Sequence, residues 1–142
     1  MDLGMKKIKD IIYRDTKIQA TKYDTEIALD MFSVSRIKKG EKTHIMRFYQ
    51  IDGKDAISLP AYRRMPLFEG SKDNPEVGKL DVDSVMVKQW KNVNERDAKA
   101  EGPMVLSALK ETTACDAVKH GFMLTSENYV SFYHIEKVIW AE

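Results

Sequence analysis

The chain has 142 residues, 43% of them hydrophobic and 32% charged, with a formal net charge of +1. That is the length of a single domain able to bury its own core, and residues 1–142 are expected to form one soluble globular unit rather than a disordered chain. The near-neutral balance falls short of the basic excess of a dedicated duplex-DNA binder, and no apolar run approaches the ~20 residues of a membrane span.

The start, "MDLGMKKIKDIIYRD", lacks the apolar stretch and small-residue cleavage site of a signal peptide. A lone cysteine, Cys115, cannot form an internal disulfide and fits a reducing compartment, so a cytoplasmic location is expected. Charge is unevenly spread. Residues 1–71 hold 14 Lys plus Arg against 10 Asp plus Glu, a net +4, and residues 72–142 hold 9 against 12, a net −3. That polarity favours head-to-tail self-association or an anionic partner at the first half.

In chain order, Leu3, Ile8, Ile11 and Ile12 share one side of a helix with lysines opposite, which predicts an amphipathic helix over residues 3–13. "KIQATKYDTEIALDMFSVSRI" is rich in β-branched and aromatic residues and predicts one or two strands, divided near Asp24. "KKGEK" is a polar turn with Gly40 available for positive φ. Asp52-Gly53 suits a two-residue hairpin turn, pairing residues 43–51 with 55–59, and Pro60 ends the second strand.

"PLFEGSKDNPEVGK", residues 66–79, carries two prolines and two glycines and predicts a long loop. Residues 81–92 fit either a strand or a helical stripe, with a strand favoured at the start. Gly102-Pro103 marks a boundary, followed by a helix over 103–120 with Leu106, Leu109 and Val118 inward and Gly121 beyond its end. "FMLT" and "NYVSFY" then predict a second hairpin about residues 126–128.

The last segment, "NYVSFYHIEKVIWAE", keeps no single period. Two strands joined by a tight turn at residues 134–137 let Ile135 and Val138 both point inward, with Tyr133 and His134 at the rim. Locally this resembles the strand, helical turn and strand of small SH3 or Sm-like barrels. "AISLPAYRRM" can also be laid over "YVSFYHIEKV", a weak two-fold internal echo. The expected fold class is α+β: mainly antiparallel β hairpins in a barrel-like sheet, with an N-terminal helix and the 103–120 helix packed on one face.

Catalytic and cofactor signatures are missing from the sequence. Cys115, His44, His120 and His134 show no closely spaced pairs for zinc, and no glycine-rich phosphate motif or nucleophile elbow occurs, so no metal or cofactor is expected. An enzyme using Cys115 and His134 would need a geometry that spacing does not supply. Asp81 and Asp83 are assigned no role, because helix capping or a solvated strand face accounts for them.

The chemistry-bearing surface is basic. Arg36, Lys38, Lys39, Lys42, His44 and Arg47 decorate one predicted hairpin, and Arg63 and Arg64 follow the next strand, with Phe48, Tyr49 and Tyr62 interleaved. Cations neutralise phosphates and aromatic rings stack on bases, so this set suits a nucleotide or single-stranded nucleic acid. The bland alternative is an edge hairpin whose lysines prevent aggregation. The leading expectation is a non-enzymatic protein acting through protein contacts as a homo-oligomer, of the kind common among phage and mobile-element accessory proteins; an anionic ligand on the basic set comes second.

Overall fold

A computed structural model describes residues 10–13, 21–51, 54–102, 104–121 and 123–142. Its elements are β1 (Asp10–Tyr13), β2 (Thr21–Asp24), β3 (Ile27–Leu29), α1 (Met31–Lys38), β4 (His44–Arg47), β5 (Tyr49–Ile51) and β6 (Lys54–Pro60). They continue with β7 (Arg64–Glu69), β8 (Glu76–Gln89), a 3-10 turn (Trp90–Asn92), α2 (Glu95–Glu101), α3 (Leu106–Lys119) and β9 (Tyr129–Trp140).

The architecture is mixed α+β, a curled half-barrel of sheet with helices on its outer face. β8 is its spine. One edge carries β9 antiparallel along its length; the other carries β7 antiparallel over the first half and β1 parallel over Ser84–Val87. β3 extends the sheet beyond β7 and β4 extends it beyond β9. A smaller sheet, β2-β6-β5, faces this one, with β6 packed against β9.

Two cores follow from this layering. Between the sheets, Ile57 and Leu59 meet Ile27, Ile45, Met65, Leu67, Leu80, Val82, Val85, Val87 and Tyr133. On the outer face, Val130 and Phe132 of β9 pack under the helices against Trp90, Val93, Ala98, Leu109 and Ala117. Fully burying each such side chain is worth about 1.5–3 kcal/mol, so β9, buried on both faces over its first five residues, anchors both layers.

The inward face of β8 changes parity, from Leu80 and Val82 to Val85 and Val87. The cause is a pair of compensating bulges. Val82 pairs with Ile135 and Ser84 with His134, leaving Asp83 extra on β8, while Asp81 pairs with Lys137, leaving Glu136 extra on β9. The predicted break at 134–137 is therefore a bulge within one continuous strand, not a turn between two. Tyr133 lies fully buried rather than at the rim. Gly78 lets the strands approach here, since a Cβ would sit 2.7 Å from the Ile139 carbonyl oxygen.

Several further expectations are corrected. Residues 3–9 of the expected N-terminal helix lie outside the described residues, and Asp10–Tyr13 form a strand, held by parallel pairing to β8. Residues 31–37, expected in a strand, lie in α1, because Asp30 caps it by accepting the Ser33 N–H at 2.7 Å. Gly40 does take positive φ, 76°, just after that helix.

The hairpin about residues 52–53, which themselves lie outside the described residues, is confined to β5 and β6, with Tyr49 opposite Ala56. β4 pairs instead with β9, because the chain leaves one sheet for the other at Phe48. The expected loop at 66–79 is mostly strand, and only residues 70–75 turn. Pro66 is tolerated in β7 because it lies just before pairing with β3 begins at Leu67.

The start of 81–92 is strand, as favoured, within β8, but α2 was not foreseen; its Asn94 and Asp97 form a reciprocal capping box. α3 runs from Leu106 with Leu109 buried, yet Val118 is exposed and Thr113 and Ala117 complete its inner face. Residues 123–128 are loop and turn, so no second hairpin precedes β9. Among the described residues, no helix is long and apolar enough to cross a membrane.

Candidate functional site

β2, β4, β6 and β9 converge on Asp24. Its Oδ2 accepts the Tyr133 hydroxyl at 2.7 Å, the Ser58 hydroxyl at 2.9 Å and Arg47 Nε at 3.2 Å, while Oδ1 lies 3.4 Å from both Arg47 Nη2 and the Tyr49 hydroxyl. Asp24, Ser58 and Tyr133 are buried. This clasp ties the small sheet to the large one, and each buried polar group is satisfied by the others. Burial pushes the Tyr133 hydroxyl far above the usual tyrosine range, with the Asp24 charge adding to it. Burial pulls Arg47 down, but the Asp24 carboxylate outweighs it and holds the guanidinium above its ordinary value. Tyr133 thus acts here as a neutral hydrogen-bond donor to Asp24.

Over the clasp, where the chain changes sheets at Phe48, three concavities run together. The largest, about 640 Å³, lies between α1 and α3 with Met46 and Phe48 at its floor and Phe32 and Arg36 on one wall. The next, about 530 Å³, is bounded by residues 46–50 and by Asp116, His120 and Gly121 at the end of α3. It shares Met46, Phe48 and Asp116 with the first. The third, about 280 Å³, is lined by residues 22–26, Ala28 and Lys72, and meets the second at Arg47 and Tyr49. The three adjoin as a band, with Tyr23, Phe32, Phe48 and Tyr49 in their lining beside Lys22, Arg36, Lys72 and Lys119.

The basic residues singled out from sequence do not form a single hairpin surface. Lys42 is buried, its ammonium 2.7 Å from both the carboxylate and the backbone carbonyl of Glu101. Burial raises the Glu101 carboxyl above its ordinary value, against the pull of Lys42 and of the Met46 N–H it accepts at 3.0 Å. Arg64 grips Asp81 through two bonds of 2.7 and 3.0 Å, and Arg63 pairs with Glu136. Lys38 sits 4.9 Å over the Trp140 ring, away from the band, and Lys39 is exposed beside it. Tyr62 packs on the inner core. Only Arg36, Arg47, Tyr49 and the buried Lys42 border the band.

His44 and His134 face each other across the β4–β9 pair with ring centroids 5.3 Å apart. His134 Nδ1 lies 2.6 Å from Asp83, the bulge residue, while His44 Nδ1 is buried with no hydrogen-bond partner. Burial lowers the His44 pKa, and His134 adds to it. Cys115 is exposed and lines the largest concavity; no hydrogen bond or ion pair joins it to His134 among the described residues. Nor do the described residues contain a group of three or more His, Cys, Asp or Glu that could hold a metal ion.

Sequence reasoning missed Asp24, Ser58, Lys22 and Lys72. Asp24 and Ser58 carry no local signal, because their roles arise only when β2 and β6 meet β9.

No family model matches the chain, and no curated protein matches it. Solved structures do. The ASCH domain from Lactobacillus crispatus JV V101 superposes with a TM-score of 0.54 at 15% identity, covering 86% of this chain and 81% of that one. The fold is ASCH-like. Protein EF3133 from Enterococcus faecalis V583, of the DUF984 family model, gives 0.59 at 15% identity over 89% and 80% of the two chains. At this identity the ASCH-like resemblance concerns the path of the chain and carries no residue roles.

Proposed function

We propose that the chain is a small binding protein whose working surface is the band over β4 and β5, and that it takes a single-stranded nucleic-acid segment there. The observation that supports this reading is the set of Tyr23, Phe32, Phe48 and Tyr49 in three adjoining concavities lined also by Lys22, Arg36, Lys72 and Lys119. Aromatic faces stack on bases of any sequence while cations track the backbone, so this combination suits unstructured strands better than duplexes. Phe32 and Tyr23 are 73% and 61% exposed, free to receive a base.

Fluorescence anisotropy of a labelled oligonucleotide tests it. Binding should weaken steeply with salt, and Phe32→Ala should lower affinity about tenfold. Lys38→Glu with Lys39→Glu, outside the band, should leave affinity nearly unchanged. No binding at low salt contradicts the reading.

A second reading, self-association through protein contacts, draws on Met31 and Phe32 of α1, Val105 and Val118 flanking and on α3, and Met123, all more than half exposed. The opposite net charges of the two sequence halves complement one another between copies. Sedimentation velocity decides it: a concentration-dependent dimer supports a second copy as the occupant, and a monomer at high concentration excludes it.

A further inference from the structure

The smallest of the three concavities differs from the other two in chemistry. Lys22, Arg47 and Lys72 line it with Asp24 and Glu26, and Tyr23 and Tyr49 supply the only rings. Asp24 is consumed by the clasp. Its two oxygens are occupied by Tyr133, Ser58, Tyr49 and the Nε and Nη2 edge of Arg47, which leaves the Nη1 side of that guanidinium without a hydrogen bond among the described residues. Lys22 and Lys72 are exposed and form no ion pair among the described residues, so Glu26 alone offsets them locally. The Tyr49 ring is a shared platform, with Lys22 Nζ 4.9 Å and the Arg47 guanidinium 5.7 Å from its centroid.

This pocket also lies at an end of the band. It meets the rest only at Arg47 and Tyr49, and residues 22–28 and Lys72 border it on the other side. A strand running along Phe32, Phe48 and Tyr49 would bring its terminus there. We propose that this pocket holds the terminal phosphate of the bound strand, with Lys22 and Lys72 as the charge pair and Arg47 Nη1 as the directional donor. A terminal phosphomonoester carries about two negative charges at neutral pH against one for an internal diester, so it gains more from Lys22 and Lys72, whose charge Glu26 offsets only in part. The inference rests on the groove reading for the strand, but the anion pocket stands or falls on its own probes.

The test compares one short oligonucleotide in three forms, with a 5′-phosphate, a 3′-phosphate or hydroxyl ends, measured by anisotropy at fixed salt. One phosphorylated form should bind about tenfold more tightly than the hydroxyl-ended strand, and the favoured end gives the strand's polarity. Lys22→Glu with Lys72→Glu should weaken all three forms and erase the difference between them, whereas Lys72→Arg should retain it. Equal affinity for all three forms overturns the phosphate anchor while leaving the groove reading intact. If no form binds, titration of inorganic phosphate into the isotope-labelled protein separates the two claims. Shifts confined to residues 22–28, Arg47, Tyr49 and Lys72 sustain the anion pocket without the groove, and no shifts overturn both.

Discussion

The Asp24 clasp and the band above it are built from the same kinds of side chain, arginine, tyrosine, lysine and carboxylate, and differ in what those groups face. In the clasp, four donor-bearing residues, one each from β4, β5, β6 and β9, share one carboxylate, so polarity is spent on joining two sheets. Along the band, Lys22, Lys72 and Lys119 have no ion-pair partner among the described residues, and the rings of Tyr23 and Phe32 face solvent. Arg47 belongs to both, one edge in the clasp and one toward the pocket. Charge serves a ligand only where the fold has left it uncommitted.

The sharpest way to break this contrast is to remove the clasp's anion. Asp24→Ala leaves the largely buried Arg47 guanidinium without its carboxylate and should cost about 3–5 kcal/mol, read as a lower urea midpoint. Tyr133→Phe removes one donor while keeping the ring in the core. Ser58 and Arg47 still satisfy Asp24, so the loss should be about 1–3 kcal/mol. A result near zero for Tyr133→Phe would mean that Ser58, Tyr49 and Arg47 hold the clasp without it.

A smaller effect is expected from His44. Burial, with the neighbouring His134, Lys42 and Lys88 and against Asp97, keeps its folded pKa below the ordinary 6.5. The unfolded chain therefore binds its proton first. The stability that neutral His44 contributes is complete above 6.5 and is lost as pH falls through the lower folded value. His44→Leu should flatten the acid side of a plot of urea midpoint against pH. The smallest effect closes the series: Lys22→Glu with Lys72→Glu, both exposed, should change stability by no more than about 0.5 kcal/mol.

What could be read from sequence followed local physics. The turn at Gly40, the β5–β6 pairing about residues 52–53, the end of β6 at Pro60 and most of α3 each depend on residues close in the chain. What could not be read depends on distant partners. Pro66 and Gly78 look like loop until β8 and β9 supply pairing, and the period break near His134 looks like a corner until Asp83 and Glu136 are seen to bulge together. The candidate site was half legible for the same reason. Tyr49, Phe48 and Arg36 stood out as a basic and aromatic mixture, but their neighbours Lys22 and Lys72 come from β2 and the β7–β8 turn. Lys42, Arg63 and Arg64 looked free because Glu101, Glu136 and Asp81 lie far off in sequence.

The central claim, that the band over β4 and β5 receives a single strand, is tested most directly by titrating a short oligonucleotide into isotope-labelled protein and mapping amide shifts. The account predicts changes concentrated at residues 46–50, at Phe32 and Arg36, and at 116–121, with β7 and the Lys38–Trp140 edge unmoved. Shifts centred on that edge, or none at oligonucleotide excess and low salt, would contradict it.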